Sequence, residues 1–239
     1  MNPTFMLGGE LEIRRVGFGA MRVVSDRAEG VRVVRRAVEL GVNFIDTADI
    51  YGAGTSEEVV AEALHPYPDG LVITTKGGLG WGLQDRIRDG RPEHLREACE
   101  ASLRRLKLER IDLYQLHRHD PEVPIEESIG ALVQLRDEGK IRMIGVSNFS
   151  VSQLRQAQAV TTIVSVQNQF NRGLVTSEDV LDVCTTEGIA FMPWSPLGEG
   201  LTRGAAYEVQ WLLDRSPVIL PIPGTSSVAH LEDTMRAVA

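Results

Sequence analysis

Asp46, Lys76, His117 and Ser147 each close an apolar run: Asn-Phe-Ile-Asp, Leu-Val-Ile-Thr-Thr-Lys, Asp-Leu-Tyr-Gln-Leu-His and Ile-Arg-Met-Ile-Gly-Val-Ser. Tyr51 follows shortly after the first of them. A carboxylate, an ammonium, a phenol and an imidazole together can deliver a proton. A phenol is a poor acid near neutrality because its ordinary pKa is about 10, but a nearby ammonium favours the phenolate. At about 4 Å and an effective dielectric of about 20, that attraction is worth roughly 4 kcal/mol, equivalent at most to about three pH units. Asp46 would hold Lys76 charged and oriented, while His117 could bond a substrate carbonyl or share the proton transfer. Taken singly, the aspartate reads as a helix cap, the lysine as a solvated charge and the tyrosine as a packed ring. Their conjunction at the ends of successive apolar runs reads as an active site, since parallel strands bring their carboxyl ends to one face.

The elements that must position these groups alternate along the chain. Phe5 to Ile13, with the Gly8-Gly9 turn, predicts a hairpin that could cap the bottom of a barrel. Strand-like runs then precede helix-like ones: Val16 to Phe18 before Ala28 to Leu40, Asn43 to Asp46 before Ser56 to Leu64, and Leu71 to Lys76 before Pro92 to Leu106. Asp112 to His117 precedes Ile125 to Glu138, Ile141 to Ser147 precedes Ser152 to Ala159, and Ile163 to Gln167 precedes Ser177 to Glu187. Ile189 to Ser195 leads to Ala206 to Arg215, and Val218 to Pro223 leads to a helix from Ser227. Eight units favour closure into an α/β fold, a (β/α)8 TIM barrel, over an open doubly wound sheet. No repeat or linker interrupts the series, so residues 1 to 239 are expected to form one domain.

Composition narrows the class. With 239 residues, 43% hydrophobic and 24% charged, the chain can bury a large core. A net charge of -8 and no basic cluster beside aromatic residues argue against nucleic acid. No run approaches the roughly 20 apolar residues that span a bilayer, and the start lacks a signal-peptide pattern, so no membrane partner and a cytoplasmic location are expected. Cys99 and Cys184 have no CxxC partner and read as core thiols, with no metal site. Nothing presents an evident apolar oligomer face, which leaves a monomer as the default.

The segments Gly17 to Met21, Asn43 to Gly52, Thr75-Lys76, Asp112 to His117, Ile144 to Phe149, Pro193 to Gly198 and Ile222 to Ser227 together resemble the aldo-keto reductases over nearly the whole chain. The resemblance implies that Asp46, Tyr51, Lys76 and His117 form a catalytic tetrad, with Tyr51 as proton donor to a small aldehyde or ketone that receives hydride from a reduced nicotinamide. It also implies a cofactor track. Gly19, Ala20, Met21 and Arg22 would lie near the nicotinamide end, and Ser147, Asn148 and Gln167 would bond the carboxamide. Trp194, where relatives more often carry tyrosine, would stack on the ring; its alternative role is packing. Ser195, Pro196, Leu197 and Gly198 would follow the pyrophosphate, with Ile222 alongside. Gly224, Thr225 and Ser226 open the last helix and would take a 2'-phosphate on free N–H groups, or simply cap that helix. His230 stands where relatives often have arginine, and Asp233-Thr234 where they have an acid followed by asparagine, which weakens the hold on the nucleotide. NADPH (NADP+) is the expected cofactor, with NADH as the alternative.

Gly17-Phe18-Gly19 lacks the third glycine of a dinucleotide fingerprint and does not open a helix directly, which rejects a Rossmann assignment. Gly78 to Gly90, with Trp81, is a long glycine-rich connection suited to a substrate lid. Between Gly200 and Tyr207 the chain is shorter than the resemblance implies, and a missing cover would speed nucleotide release. Two other functions fit the same residues: a nicotinamide-binding redox sensor or regulatory protein with little turnover, and an aldolase working through a Lys76 Schiff base.

Overall fold

The computed structural model describes residues 3–81, 86–198 and 204–236. Strands β1 (Thr4–Leu7) and β2 (Leu11–Arg14) form the antiparallel hairpin. Then come β3 (Phe18–Gly19), α1 (Arg27–Glu39), β4 (Phe44–Asp46), α2 (Thr55–Leu64), β5 (Val72–Gly77), the small antiparallel pair β6 (Leu79–Trp81) and β7 (Arg86–Arg88), and α3 (Pro92–Leu106). The series continues with β8 (Ile111–Leu116), α4 (Ile125–Asp137), β9 (Ile141–Ser147), α5 (Val151–Val160), β10 (Ser165–Gln167), α6 (Glu178–Glu187), β11 (Ala190–Phe191), α7 (Ala205–Arg215) and α8 (Val228–Met235). The helix limits have local causes: Asp26 caps α1 through the Glu29 N–H, Ser150 and Gln153 form a capping box on α5, and Gly188 ends α6 at φ +69°.

Seven parallel strands run in the order β11-β10-β9-β8-β5-β4-β3, and extended chain closes the ring. The expected eighth strand, Val218 to Pro223, is not a regular strand. Prolines 221 and 223 lack the N–H that a ladder needs. The segment nevertheless bonds both neighbours: Leu220 N–H donates to Phe191 O, while Gly17 and Gly19 donate to the carbonyls of Pro221 and Pro223. Closure is tight at the top, where a Cβ on Gly224 would stand 2.5 Å from the Gly19 carbonyl oxygen, and only glycine admits that approach. A second departure lies just after β3, where Ala20–Val24 form a 3-10 helix directly. It is a short turn, followed by α1 only after Ser25 and Asp26, so it does not supply the helix N-terminus of a Rossmann unit.

Strand alternation explains the interior. Phe44, Val72, Leu113 and Met143 point inward and pack with Leu7 and Ile13 of the hairpin, which plugs the bottom. Each such buried aliphatic residue contributes about 1.5–3 kcal/mol. Ile45, Ile73, Tyr114, Ile144 and Val166 alternate outward beneath the helices. Two residues above the apolar layer the inward positions turn polar: Asp46, Thr74, Gln115 and Ser165, and then Lys76, His117, Ser147 and Gln167 at the top. No helix among the described residues is long and apolar enough to cross a membrane.

Candidate active site

Period-two alternation in β4 and β5 brings Asp46 and Lys76 into the barrel from adjacent strands. Lys76 is fully buried, and its Nζ donates to both carboxylate oxygens of Asp46 at 2.9 and 2.8 Å and to the Thr47 carbonyl at 2.8 Å. Burial alone would push this ammonium down, but the charge of Asp46, the phenol of Tyr51 and hydrogen bonds to both outweigh it, and the net direction is up. Nζ stands 5.2 Å from the Tyr51 ring centre, and the His117 imidazole meets that ring edge-on at 5.9 Å. Asp46 is held further by the Gln167 amide at 2.9 Å and the Gln115 amide at 3.4 Å. Thus four groups from two strand ends, one loop and a third strand end share one place. Lys76 lies behind the surface, while Asp46, Tyr51 and His117 line a cleft of ≈ 350 Å³.

The neighbouring strand ends complete the cleft. Ser147 donates to the Gln167 carbonyl at 2.8 Å. Asn148, at φ +60°, donates from Nδ2 to the His117 carbonyl at 3.2 Å and to Ser147 Oγ at 2.9 Å, and accepts from the Trp194 indole N–H at 3.0 Å. Because indole only donates and a carbonyl only accepts, this arrangement fixes which way the amide faces. Trp194 therefore presents its edge to Asn148 within the cleft wall.

Gly19, Met21, Arg22, Ser147, Asn148, Gln167, Trp194, Ser195, Pro196, Leu197, Gly198, Ile222 and Gly224 all border the cleft. A second groove of ≈ 260 Å³ shares Arg22, Leu197, Gly198 and Gly224 with it and adds Thr225, His230, Asp233 and Thr234. The shared residues join the two grooves into one elongated shape. Ser195 and Gly198 take left-handed backbone at φ +53° and +63°, and Asn171 holds the loop by donating to the Ser195 carbonyl at 3.0 Å. Two expected track residues stand apart from that shape: Ala20 is buried and Ser226 borders neither groove. Thr234 borders the second groove, with its hydroxyl bonded to the His230 carbonyl of its own helix at 2.8 Å. The Ser227 hydroxyl makes no cap; instead the Ser227 N–H donates to Thr225 Oγ1 at 3.1 Å.

In the Gly78 to Gly90 connection, where the lid was expected, Leu79–Trp81 and Arg86–Arg88 pair as β6 and β7, and residues 82–85 lie outside the described residues. Most of the short stretch after Gly198, residues 199–203, lies outside them too. Sequence reading missed Arg118, which borders the cleft beside His117 and was legible by the same strand-end rule. It also missed Gln115, whose inward register the alternation from Leu113 to His117 announces. Asp49 was missed as well; burial and the neighbouring Glu57 push its carboxyl up to about 7.

A β/α barrel that gathers an ammonium, a carboxylate, a phenol and an imidazole at its strand ends, beside an elongated groove, is an enzyme's architecture. The sequence profile of the Aldo/keto reductase family matches residues 15–209. The chain is 41% identical over 254 aligned residues to an uncharacterized oxidoreductase of Schizosaccharomyces pombe, covering 96% of this chain and 83% of the relative. It is 37% identical over 265 aligned residues to pyridoxine 4-dehydrogenase of Escherichia coli, covering 98% and 92%. Among solved structures, an aldo/keto reductase from Klebsiella pneumoniae in complex with NADP and acetate superimposes with a TM-score of 0.84 at 26% identity, covering 100% of this chain and 90% of that one. The chain belongs to the aldo-keto reductase family, a family of NAD(P)H-dependent oxidoreductases.

Proposed function

We propose that this protein reduces small aldehydes or ketones to alcohols with NADPH, and that Tyr51 donates the proton. The observation that carries the reading is the buried Lys76 ammonium, bonded to both oxygens of Asp46 and to the Tyr51 phenol at the floor of the cleft. NADP in the Klebsiella relative and the joined grooves here support the choice of cofactor. Arg22, Gly198, Gly224, Thr225 and His230 would hold the nucleotide's anionic part, and Ser147, Asn148, Gln167 and Trp194 its nicotinamide end. Bound there, reduced nicotinamide supplies the hydride.

The remaining work falls to the chain. Tyr51 gives its proton to the carbonyl oxygen as negative charge develops there, and Lys76 stabilises the phenolate left behind. Asp46 keeps the ammonium charged and aimed, and His117, edge-on to Tyr51, directs the carbonyl toward the phenol. Tyr51→Phe keeps the ring and removes the proton. It is expected to lower aldehyde-dependent NADPH oxidation by about 10²-fold or more while still binding NADPH by calorimetry. Near-normal turnover in that variant would sink the assignment.

A further inference from the structure

We propose that Arg118 makes the substrate end of the cleft a site for carbonyl compounds that carry a carboxylate; the proposal rests on the reductase reading above. Among the described residues, the charged ones bordering the cleft are Asp46, Arg22 and Arg118. Asp46 is committed: Lys76 holds both of its oxygens, and Gln167 adds a third bond. The two arginines therefore leave the cleft with positive charge that no other described residue bordering it neutralises.

The arginines serve different ends. Arg22 also borders the second groove, with Thr225 and His230, and so belongs to the nucleotide's phosphates. Arg118 follows β8. Around the ring of strands, β8 has β5, β4 and β3 on one side and β9, β10 and β11 on the other, which sets it across the barrel from the 218–224 segment and Gly224. The phosphate end is thus remote from Arg118, whereas Tyr51 and His117 are beside it. An anion met by Arg118 would be part of the substrate.

Arg118 is partly buried and makes no hydrogen bond or ion pair with any described residue. The nearest acid in sequence, Asp120, is occupied by the backbone N–H groups of Gly90 and Glu122, each at 3.0 Å. Other partly buried arginines are committed, such as Arg105 to Glu57 and Arg96 to Glu138. A guanidinium with its fork of donors uncommitted at the wall of a reaction cleft suits a carboxylate, which it can bind through two parallel N–H bonds.

The test compares 4-oxobutanoate with butanal, which has the same chain length without the carboxylate, as substrates of the full chain with NADPH. The wild type is expected to favour the acid by about tenfold or more in kcat/KM, and Arg118→Gln to collapse that ratio toward one, with Arg118→Lys intermediate. Succinate titrated calorimetrically should bind the wild type about tenfold more tightly than Arg118→Gln. An unchanged ratio in Arg118→Gln, or no preference in the wild type, overturns the proposal. If neither aldehyde is turned over, the reductase reading fails, and equal succinate affinities of the two proteins would then overturn the role of Arg118 separately.

Discussion

Asp49 sits in the loop that joins Asp46 to Tyr51, and replacing it by asparagine tests how that loop is held. Its Oδ1 is buried without a hydrogen-bond partner among the described residues. Burial and the charge of Glu57 on α2 push its carboxyl from 3.8 up to about 7, against the Ile50 N–H, Arg105 from α3 and Lys76 from β5. Tyr114 on β8 also faces it, and Asp49 adds to the burial that raises that phenol. At about 1.4 kcal/mol per pH unit, carrying the Asp49 charge in the fold costs at most about 4 kcal/mol. Partial solvent access halves the expectation to about 2 kcal/mol. The folded-state value lies above the unfolded one, so this contribution to stability is fully present below about pH 4 and is lost as pH rises through about 7. Asp49→Asn, permanently neutral, should therefore melt higher than the wild type at about pH 8. For a chain of this size the gap should be about 4–8 °C, and it should narrow to under half by about pH 5. Thermal melts of both proteins across that range decide it. A gap that is constant with pH, or an asparagine variant that melts lower at pH 8, would refute the electrostatic account.

Two further predictions rest on named bonds. The Trp194 indole N–H orients the Asn148 amide, which ties the His117 carbonyl to the proposed nicotinamide end of the cleft. Trp194→Phe should weaken NADPH binding about fivefold in calorimetry, but cost almost nothing more in an Asn148→Ala background. Equal losses in both backgrounds would mean that the ring face, not the N–H, matters. Lys76→Met leaves the Asp46 carboxylate buried without its cation and should lower stability in urea by roughly 3–5 kcal/mol, and adding Asp46→Asn should recover part of that loss. A single variant within about 1 kcal/mol of the wild type would show that water already shares the site.

The barrel was legible because its rules are local and repeat. Apolar runs ending in a polar residue, helix-like stretches between them and glycines such as Gly188 at φ +69° fix the order of elements without knowledge of any long-range contact. Period-two alternation also carried Asp46, Lys76, His117 and Ser147 to one end of the strands. The eighth strand was overread because Val218 to Pro223 has strand-like apolar content, whereas its prolines let it bond its neighbours only at intervals. The Gly19–Gly224 approach that seals this seam joins residues some two hundred positions apart, and no spacing rule announces it.

What the sequence by itself determined was the order of the elements and the four groups at the strand ends, which follow from residue type and short-range period, and the family, through the resemblance of segments such as Asn43 to Gly52 and Pro193 to Gly198. What only the tertiary structure decided was partnership. Lys76 meets both oxygens of Asp46 across β4 and β5, Gln167 turns its amide to that carboxylate, Trp194 donates to Asn148, and Arg118 has no hydrogen-bond or ion-pair partner among the described residues. Hydrogen bonds act over about 3 Å, and closure of the ring, not position along the chain, determines which side chains come that near.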